Sequence, residues 1–269
     1  LAVFYTLTIF EFPFPSMYRK FAFALILFFL SIAAVKAQQN IFISEKTPAP
    51  FDTTFIINPN TKILYDSLFQ WENWVIRKNY DFEKNRGELP MIADLKALHP
   101  YFRDKMFLLI EKCKAKGIHI EVVESFRTST KQAEYFGMGR KYTRSAGGNS
   151  KHQYGLACDV VPIVNGKPVW ENKALWRKIG VEGEKLGLRW GGRWRHPYDP
   201  AHFEWTNGIT TQELKAGIFP KPTHAIYPCL DEDIAMLKKV WQAWEKKQKE
   251  AWQQLQEQES IVSASSEMP

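Results

Sequence analysis

The sequence predicts a mixed α+β fold in which helices and short strands alternate through one domain and a long C-terminal helix follows. Three observations lead there. Apolar residues recur at helical spacing over 64–79, 92–116, 171–187 and 230–258. Stretches at 118–123, 156–163 and 201–205 are short, apolar or alternating, and read as strands. Gly117, Asn165-Gly166 and Gly187 stand where those elements should stop. With 269 residues and 45% hydrophobic content, the chain can build one good core plus appendages, but not two large domains.

In chain order, residues 17–37 have the layout of a secretory signal peptide. Met17-Tyr18-Arg19-Lys20 is basic, Phe21 to Val35 is almost wholly apolar, and Val35-Lys36-Ala37 offers small residues for cleavage. The apolar run is about 15 residues, short of the roughly 20 a spanning helix needs. An uncleaved membrane anchor is the alternative reading. Met17 is read as the start, and the signal implies export to the periplasm or cell envelope, or secretion. Residues 38–85 form an arm with one helix, supported by Leu64, Leu68, Trp71, Trp74 and Val75. The domain proper is expected over 86–206. Its first helix, 92–116, breaks near His99-Pro100. A strand over 118–123 follows, then a short helix over 129–136 with Thr130 as a candidate cap. Residues 137–151 are glycine-bearing and read as a loop. The 207–228 segment, with Pro220, Pro222 and Pro228, is a connector. In the 229–258 helix, Leu230, Ile234, Leu237, Trp241 and Trp244 form a seam that either packs on the domain or pairs with another helix. Residues 259–269 are a polar tail.

The net charge of +7 admits nucleic acid, an anionic membrane or an acidic polymer as partner. The positive charges are scattered and not interleaved with aromatics, so nucleic-acid binding is not supported. Cys113, Cys158 and Cys229 are odd in number and form no CxxC, which argues against a disulfide framework. No GxSxG, HExxH or phosphate-cradling glycine loop occurs, so serine-hydrolase and nucleotide-binding readings lack support.

The chemistry gathers in three stretches. In Ser150-Lys151-His152-Gln153-Tyr154-Gly155-Leu156-Ala157-Cys158-Asp159, Asp159 sits inside an apolar strand and needs a cation or strong donors there. His152 lies just before that strand, and Gly155 permits a tight approach over the same face. A metal site and a buried His–Asp hydrogen bond both fit this stretch. In Asp199-Pro200-Ala201-His202-Phe203-Glu204-Trp205, a second histidine joins the set. Two histidines and an aspartate make a three-ligand zinc site with an open fourth position. Asp199 fits a proton acceptor, with His196 and Glu204 as competing candidates. In Ser125-Phe126-Arg127-Thr128, with Gln132 following, Arg127 either faces the oxygen that gains charge during hydrolysis or forms a surface salt bridge. Strand alternation turns Cys158 to the face opposite Asp159, away from this chemistry.

The order FRTxxxQ, SxHxxGxAxD, WGGxW and DxxHFE resembles the VanY-type D-Ala-D-Ala carboxypeptidase and L-alanyl-D-glutamate endopeptidase family, zinc metallopeptidases that include phage endolysins. The likeness runs from about residue 90 to 206, and the motifs together in this order are highly specific. The resemblance implies a small antiparallel sheet carrying zinc, flanked by helices, of the Hedgehog and D-Ala-D-Ala peptidase-like kind that lysostaphin shares. It implies one zinc ion per chain held by His152, Asp159 and His202, and Asp199 as base. Arg127 would stabilise the oxyanion or hold a substrate carboxylate, while Ser150, Gln132 and Trp194 would contact substrate. The partner it implies is a peptidoglycan stem peptide. Asp199, Trp170 and the Trp190-Gly191-Gly192-Arg193-Trp194 segment look like the endopeptidase branch. A D-alanyl-D-alanine carboxypeptidase and a non-catalytic zinc-bearing wall-binding module are the alternatives. The resemblance says nothing of the arm, the C-terminal helix or the oligomeric state.

Overall fold

A computed structural model of the chain describes residues 74–143, 145 and 147–266. The 17–37 segment read as a signal peptide, most of the 38–85 arm and the last three residues lie outside the described residues. Among the described residues, no helix is long and apolar enough to cross a membrane.

A five-stranded antiparallel sheet is the centre of the domain. It holds β3 (His119–Glu124), β4 (Ala157–Val164), β5 (Lys167–Pro168), β6 (Arg189–Trp190) and β7 (His202–Glu204). The strand order is β3-β4-β7-β6, and β5 folds back on β4 through the Asn165-Gly166 turn. Both turn residues take positive φ, which the two-residue hairpin requires. The mixed helix and sheet architecture and the small antiparallel sheet agree with the sequence reading.

Alternation along β4 separates core from site. Cys158 and Val160 point to one face, where α1 (Pro100–Ala115) and α3 (Lys173–Lys185) pack. There Phe102, Met106, Leu109 and Cys113 of α1 meet Trp176 and Ile179 of α3 and Phe203 of β7, all fully or almost fully buried. Pro100 sits in the first turn of α1, where its missing N–H costs nothing. That explains why the periodicity breaks at His99-Pro100. Asp159 and Val161 point to the other face. Val161, Val123, Met91 and Phe82 form a small cluster on that side.

The arm differs from its reading where it is described. Trp74 to Asn79 is not the end of a helix. Ile76–Arg77 is a strand, β1, paired antiparallel with β2 (Met91–Ile92). Trp74 is buried with Trp241 and Trp244, so its apolar character serves tertiary packing and not a local helical face. The cap of α2 (Ser129–Gly137) is Thr128 and not Thr130: Thr128 has extended backbone, and its side chain accepts from Lys131 N.

The connector holds a short helix, α4 (Thr211–Lys215), with a Thr210/Glu213 capping box. The last helix, α5 (Leu230–Ser266), runs well past residue 258. Its seam packs on the domain: Leu230, Ile234, Leu237, Trp241 and Trp244 are all buried. Trp241 stacks on Phe126 at 5.0 Å and donates to the Ala97 carbonyl at 3.0 Å. Glu245 accepts from Ser129 N at 2.5 Å and Thr130 N at 3.0 Å, so α5 caps the start of α2. The three cysteines are free, and Cys113 and Cys158 are buried.

Candidate active site

Strand register builds this site. Asp159 on β4 stands opposite His202 on β7, and Glu124 on β3 stands opposite Asp159 after a register shift. Directly opposed residues share a sheet face, so three polar side chains line up across three strands. His152 arrives from the 3-10 turn Lys151–Tyr154 just before β4. Gly155 ends that turn with φ 63°, and a Cβ there would lie 2.9 Å from the Ala97 carbonyl oxygen. Only glycine fits so close an approach.

The three predicted ligands converge. Asp159 Oδ1 is 3.3 Å from His152 Nε2 and 3.1 Å from His202 Nδ1. The two ring nitrogens are 3.3 Å apart. Donors about 2.0–2.1 Å from a tetrahedral ion stand roughly 3.3 Å from one another. The triangle therefore has the size of one face of a tetrahedral coordination shell. All three residues are buried and could hold a metal ion. Two imidazoles and a carboxylate also suit zinc chemically.

Glu204 fixes one corner. Its Oε2 is 3.2 Å from His202 Nε2, so with a metal held at Nδ1 the Nε2 proton would point at Glu204. Its Oε1 accepts from Arg189 at 2.5 Å. Glu204 thus serves His202 and Arg189, which weakens it as a rival base. Burial would lower the His202 pKa, but hydrogen bonds to Asp159 and Glu204 push it up to about 10. Burial would raise Asp159, yet the charges and hydrogen bonds of His152 and His202 hold it well below the usual carboxylate range.

Asp199 stands on the turn before β7. Its N–H donates to the Gly191 carbonyl at 3.1 Å, and its own carbonyl accepts from His202 N at 3.3 Å. A Cβ on Gly191 would lie 2.4 Å from the Asp199 oxygen, so glycine at 191 lets this turn close. Burial, and then the Asp159 charge, raise the Asp199 carboxyl. His202, Arg86 and His152 pull the other way. A half-buried carboxyl with raised pKa beside three candidate ligands suits proton transfer. His196, the other rival, is exposed.

The remaining predicted residues divide. Trp194 is half-buried, with its ring 5.1 Å from that of His202. Ser150 is the N-cap of the turn that carries His152. Arg127 is buried, not at the surface. Its Nη2 pairs with Glu124 and stands 3.6 Å from Asp159 Oδ2, and its Nη1 donates to Gln132 at 3.1 Å. Gln132 is fully buried, and its amide also donates to the Ser145 carbonyl at 2.6 Å. The Gln132 side chain thus bridges Arg127, Thr143 and Ser145.

Two features escaped the sequence reading. Glu124 is a buried carboxylate at the end of an apolar strand, the same signal that exposed Asp159. Arg86 stands with Nη1 3.8 Å from Asp159 Oδ2, in a segment without periodicity or motif. Cys158 is fully buried in the helix-facing core, and burial pushes its thiol up, which does not suit a nucleophile.

A small antiparallel sheet thus presents two histidines and an aspartate that could hold a metal ion, with a second aspartate on the turn before β7. Residues 143–205 match the family described as D-alanyl-D-alanine carboxypeptidase. Peptidoglycan L-alanyl-D-glutamate endopeptidase CwlK of Bacillus subtilis (strain 168) is 29% identical over 143 residues, covering 48% of this chain and 84% of the relative. Among solved structures, the Serratia marcescens L-Ala D-Glu endopeptidase ChiX is 25% identical over 42% of this chain and 84% of its own, with a TM-score of 0.35. The vancomycin resistance D,D-pentapeptidase VanY, solved with Zn(II), is 16% identical over 60% and 90%, with a TM-score of 0.31. At such TM-scores the two structures add no weight to the sequence matches. The two sequence matches bear peptidase names, a D-alanyl-D-alanine carboxypeptidase and an L-alanyl-D-glutamate endopeptidase.

Proposed function

We propose that this chain is an exported, zinc-dependent peptidase that hydrolyses peptidoglycan stem peptides at the L-alanyl-D-glutamate bond. The observation that carries the reading is the His152–Asp159–His202 triangle, of tetrahedral size, with Asp199 beside it. The bond choice draws on Asp199 and the tryptophan-bearing segment, and on the named activity of the Bacillus relative. Export draws on the 17–37 segment and on the location of the cell wall.

One zinc ion per chain, held by His152, Asp159 and His202, would supply Lewis acidity that acidifies water and polarises the scissile carbonyl. Asp199 accepts the proton of the attacking water and returns it to the leaving amine. Glu204 holds the His202 tautomer. Arg127 and Glu124 back Asp159, and the Arg127 charge stabilises the oxygen that becomes negative. Trp194 walls the cleft beside His202, and Ser150 orients the turn that bears His152.

A D-alanyl-D-alanine carboxypeptidase is the second reading, favoured by the description of the family that residues 143–205 match. Mass spectrometry of purified muropeptides, incubated with the protein and zinc or with chelator, separates the two. Fragments split between L-alanine and D-glutamate only with metal are expected. Loss of a terminal D-alanine alone would establish the carboxypeptidase, and intact peptides would sink both in favour of a binding module.

A further inference from the structure

Arg86 and Lys84 belong to no motif, yet Arg86 stands at the metal-ligand cluster and Lys84 shares the Trp170 ring with it. Arg86 Nη1 is 3.8 Å from Asp159 Oδ2, beyond hydrogen-bonding reach, although Asp159 Oδ1 faces the histidines. Lys84 Nζ lies 3.9 Å from the centre of the Trp170 ring, and the Arg86 guanidinium lies 5.6 Å from the same ring. Asp199 is an electrostatic neighbour of both cations. Trp170 is itself fixed, donating from Nε1 to the Phe82 carbonyl at 2.9 Å.

The backbone beneath the two cations is held unusually well for a loop. Lys131 Nζ, fully buried, donates to the Arg86 carbonyl and, at 2.6 Å, to the Leu89 carbonyl. Glu134 pairs with Lys131 at 2.6 Å and accepts from Glu88 N at 2.5 Å and Leu89 N at 3.1 Å. Arg86 N donates to Asn79 Oδ1 at 2.7 Å. A buried ion pair is a costly way to fix a loop, since both charges lose their hydration. Here it sets the position of an arginine that has the Tyr135 hydroxyl as a hydrogen-bond partner and whose nearest carboxylate, Asp159, stands 3.8 Å away. Arg86 is neither an exposed arginine in water nor one spent on a structural carboxylate: its side chain is 17% exposed.

We infer that Arg86, with Lys84 against Trp170, forms a carboxylate-binding subsite that selects an acidic substrate residue adjoining the scissile bond. The inference rests on the proposed L-alanyl-D-glutamate cleavage, in which that residue is D-glutamate with a free α-carboxylate. A planar guanidinium binds a carboxylate through paired N–H donors, and the neighbouring ammonium adds a second positive charge. The indole face holds both cations in place through its ring charge distribution. Arg86 and Lys84 determine specificity and take no part in bond breaking.

The test uses two peptides, L-alanyl-γ-D-glutamyl-L-lysine and its α-amidated D-isoglutaminyl form, with the zinc-loaded full chain. Removing a charge-assisted contact should cost about tenfold or more in affinity. The wild type should therefore cleave the acid with a kcat/KM about tenfold above the amide, chiefly through KM. Arg86→Gln should erase that preference by weakening the acid alone, and Arg86→Lys should restore part of it. Equal cleavage of the two peptides by the wild type would overturn the inference, as would an equal loss on both in Arg86→Gln, which is the signature of a merely structural role. Binding is read separately by calorimetry with the zinc-loaded Asp199→Asn variant. Tighter binding of the acid, lost on adding Arg86→Gln, supports the subsite even if neither peptide is cut and the assigned bond is wrong. Equal affinity for acid and amide overturns it whatever the turnover shows.

Discussion

The β4–β7 centre and the α5 support are built by opposite means. In the centre, ligands come from neighbouring strands and one turn, and register sets their separation: Asp159 faces His202 across a single ladder position. In the support, contacts span long stretches of chain. Glu245 reaches residues 116 positions earlier to cap α2, and Trp241 reaches Ala97 and Phe126. The centre holds the residues proposed to carry the chemistry, and the support carries the frame on which Arg127 and its turn rest. Damage to the first should remove function and leave the fold. Damage to the second should cost stability first.

His152→Ala and His202→Ala bear on the centre most heavily. Each should abolish stoichiometric zinc, measured by elemental mass spectrometry, and turnover with it, while circular dichroism remains native. Retained zinc at one per chain would undo the ligand assignment. Asp199→Ala should keep its zinc and lose about 10²–10⁴ in kcat, the usual weight of general-base catalysis. Near wild-type turnover would pass the role to Glu204 or His196.

Trp241→Ala addresses the support. Truncating a buried tryptophan costs about 3–5 kcal/mol, so urea denaturation should show a loss of that order, with zinc still bound at one per chain in the folded protein. If zinc were lost while stability stayed intact, the division between the two regions would fail.

Proton release sharpens the comparison from within the centre. The pKa of His202 is raised, to about 10, above the ordinary 6.5. Its ion-pair stabilisation of the metal-free fold is thus fully present below pH 6.5 and lost as pH rises through 10. At pH 7 the ring holds a proton that zinc must displace. Calorimetry in buffers of different ionisation enthalpy should show about one proton released per zinc, with apparent affinity rising with pH. No proton release would mean that the His202 ring is already neutral before zinc enters.

The same contrast explains what the sequence disclosed. His152, Asp159, Asp199 and His202 were legible because register and turn chemistry are local: a carboxylate in an apolar strand, a histidine before it, and glycines where backbones touch. The α5 seam was legible from its spacing, though not what it would pack on. β1, β2 and β6 have two residues each, too few for any periodicity to show. Trp74 suggested a helix because tertiary burial and helical amphipathicity leave the same apolar signature, while Val75 is exposed on the extended chain. Gln132 stood out by its motif position, but its bonds to Arg127 and Ser145 could not be read from spacing. Arg86 was invisible because the Lys131–Glu134 pair of α2, together with Asn79, holds the loop that places it beside Asp159.

The most direct test of the central claim is a titration of zinc into the chelated protein, following turnover of an L-alanyl-D-glutamate peptide and bound zinc in the same samples. Turnover should rise in proportion to zinc and saturate at one ion per chain, with Asp199→Ala binding equally and staying silent. Turnover that is already maximal before zinc is added, or that climbs only after a second equivalent, would contradict a single catalytic ion held by His152, Asp159 and His202.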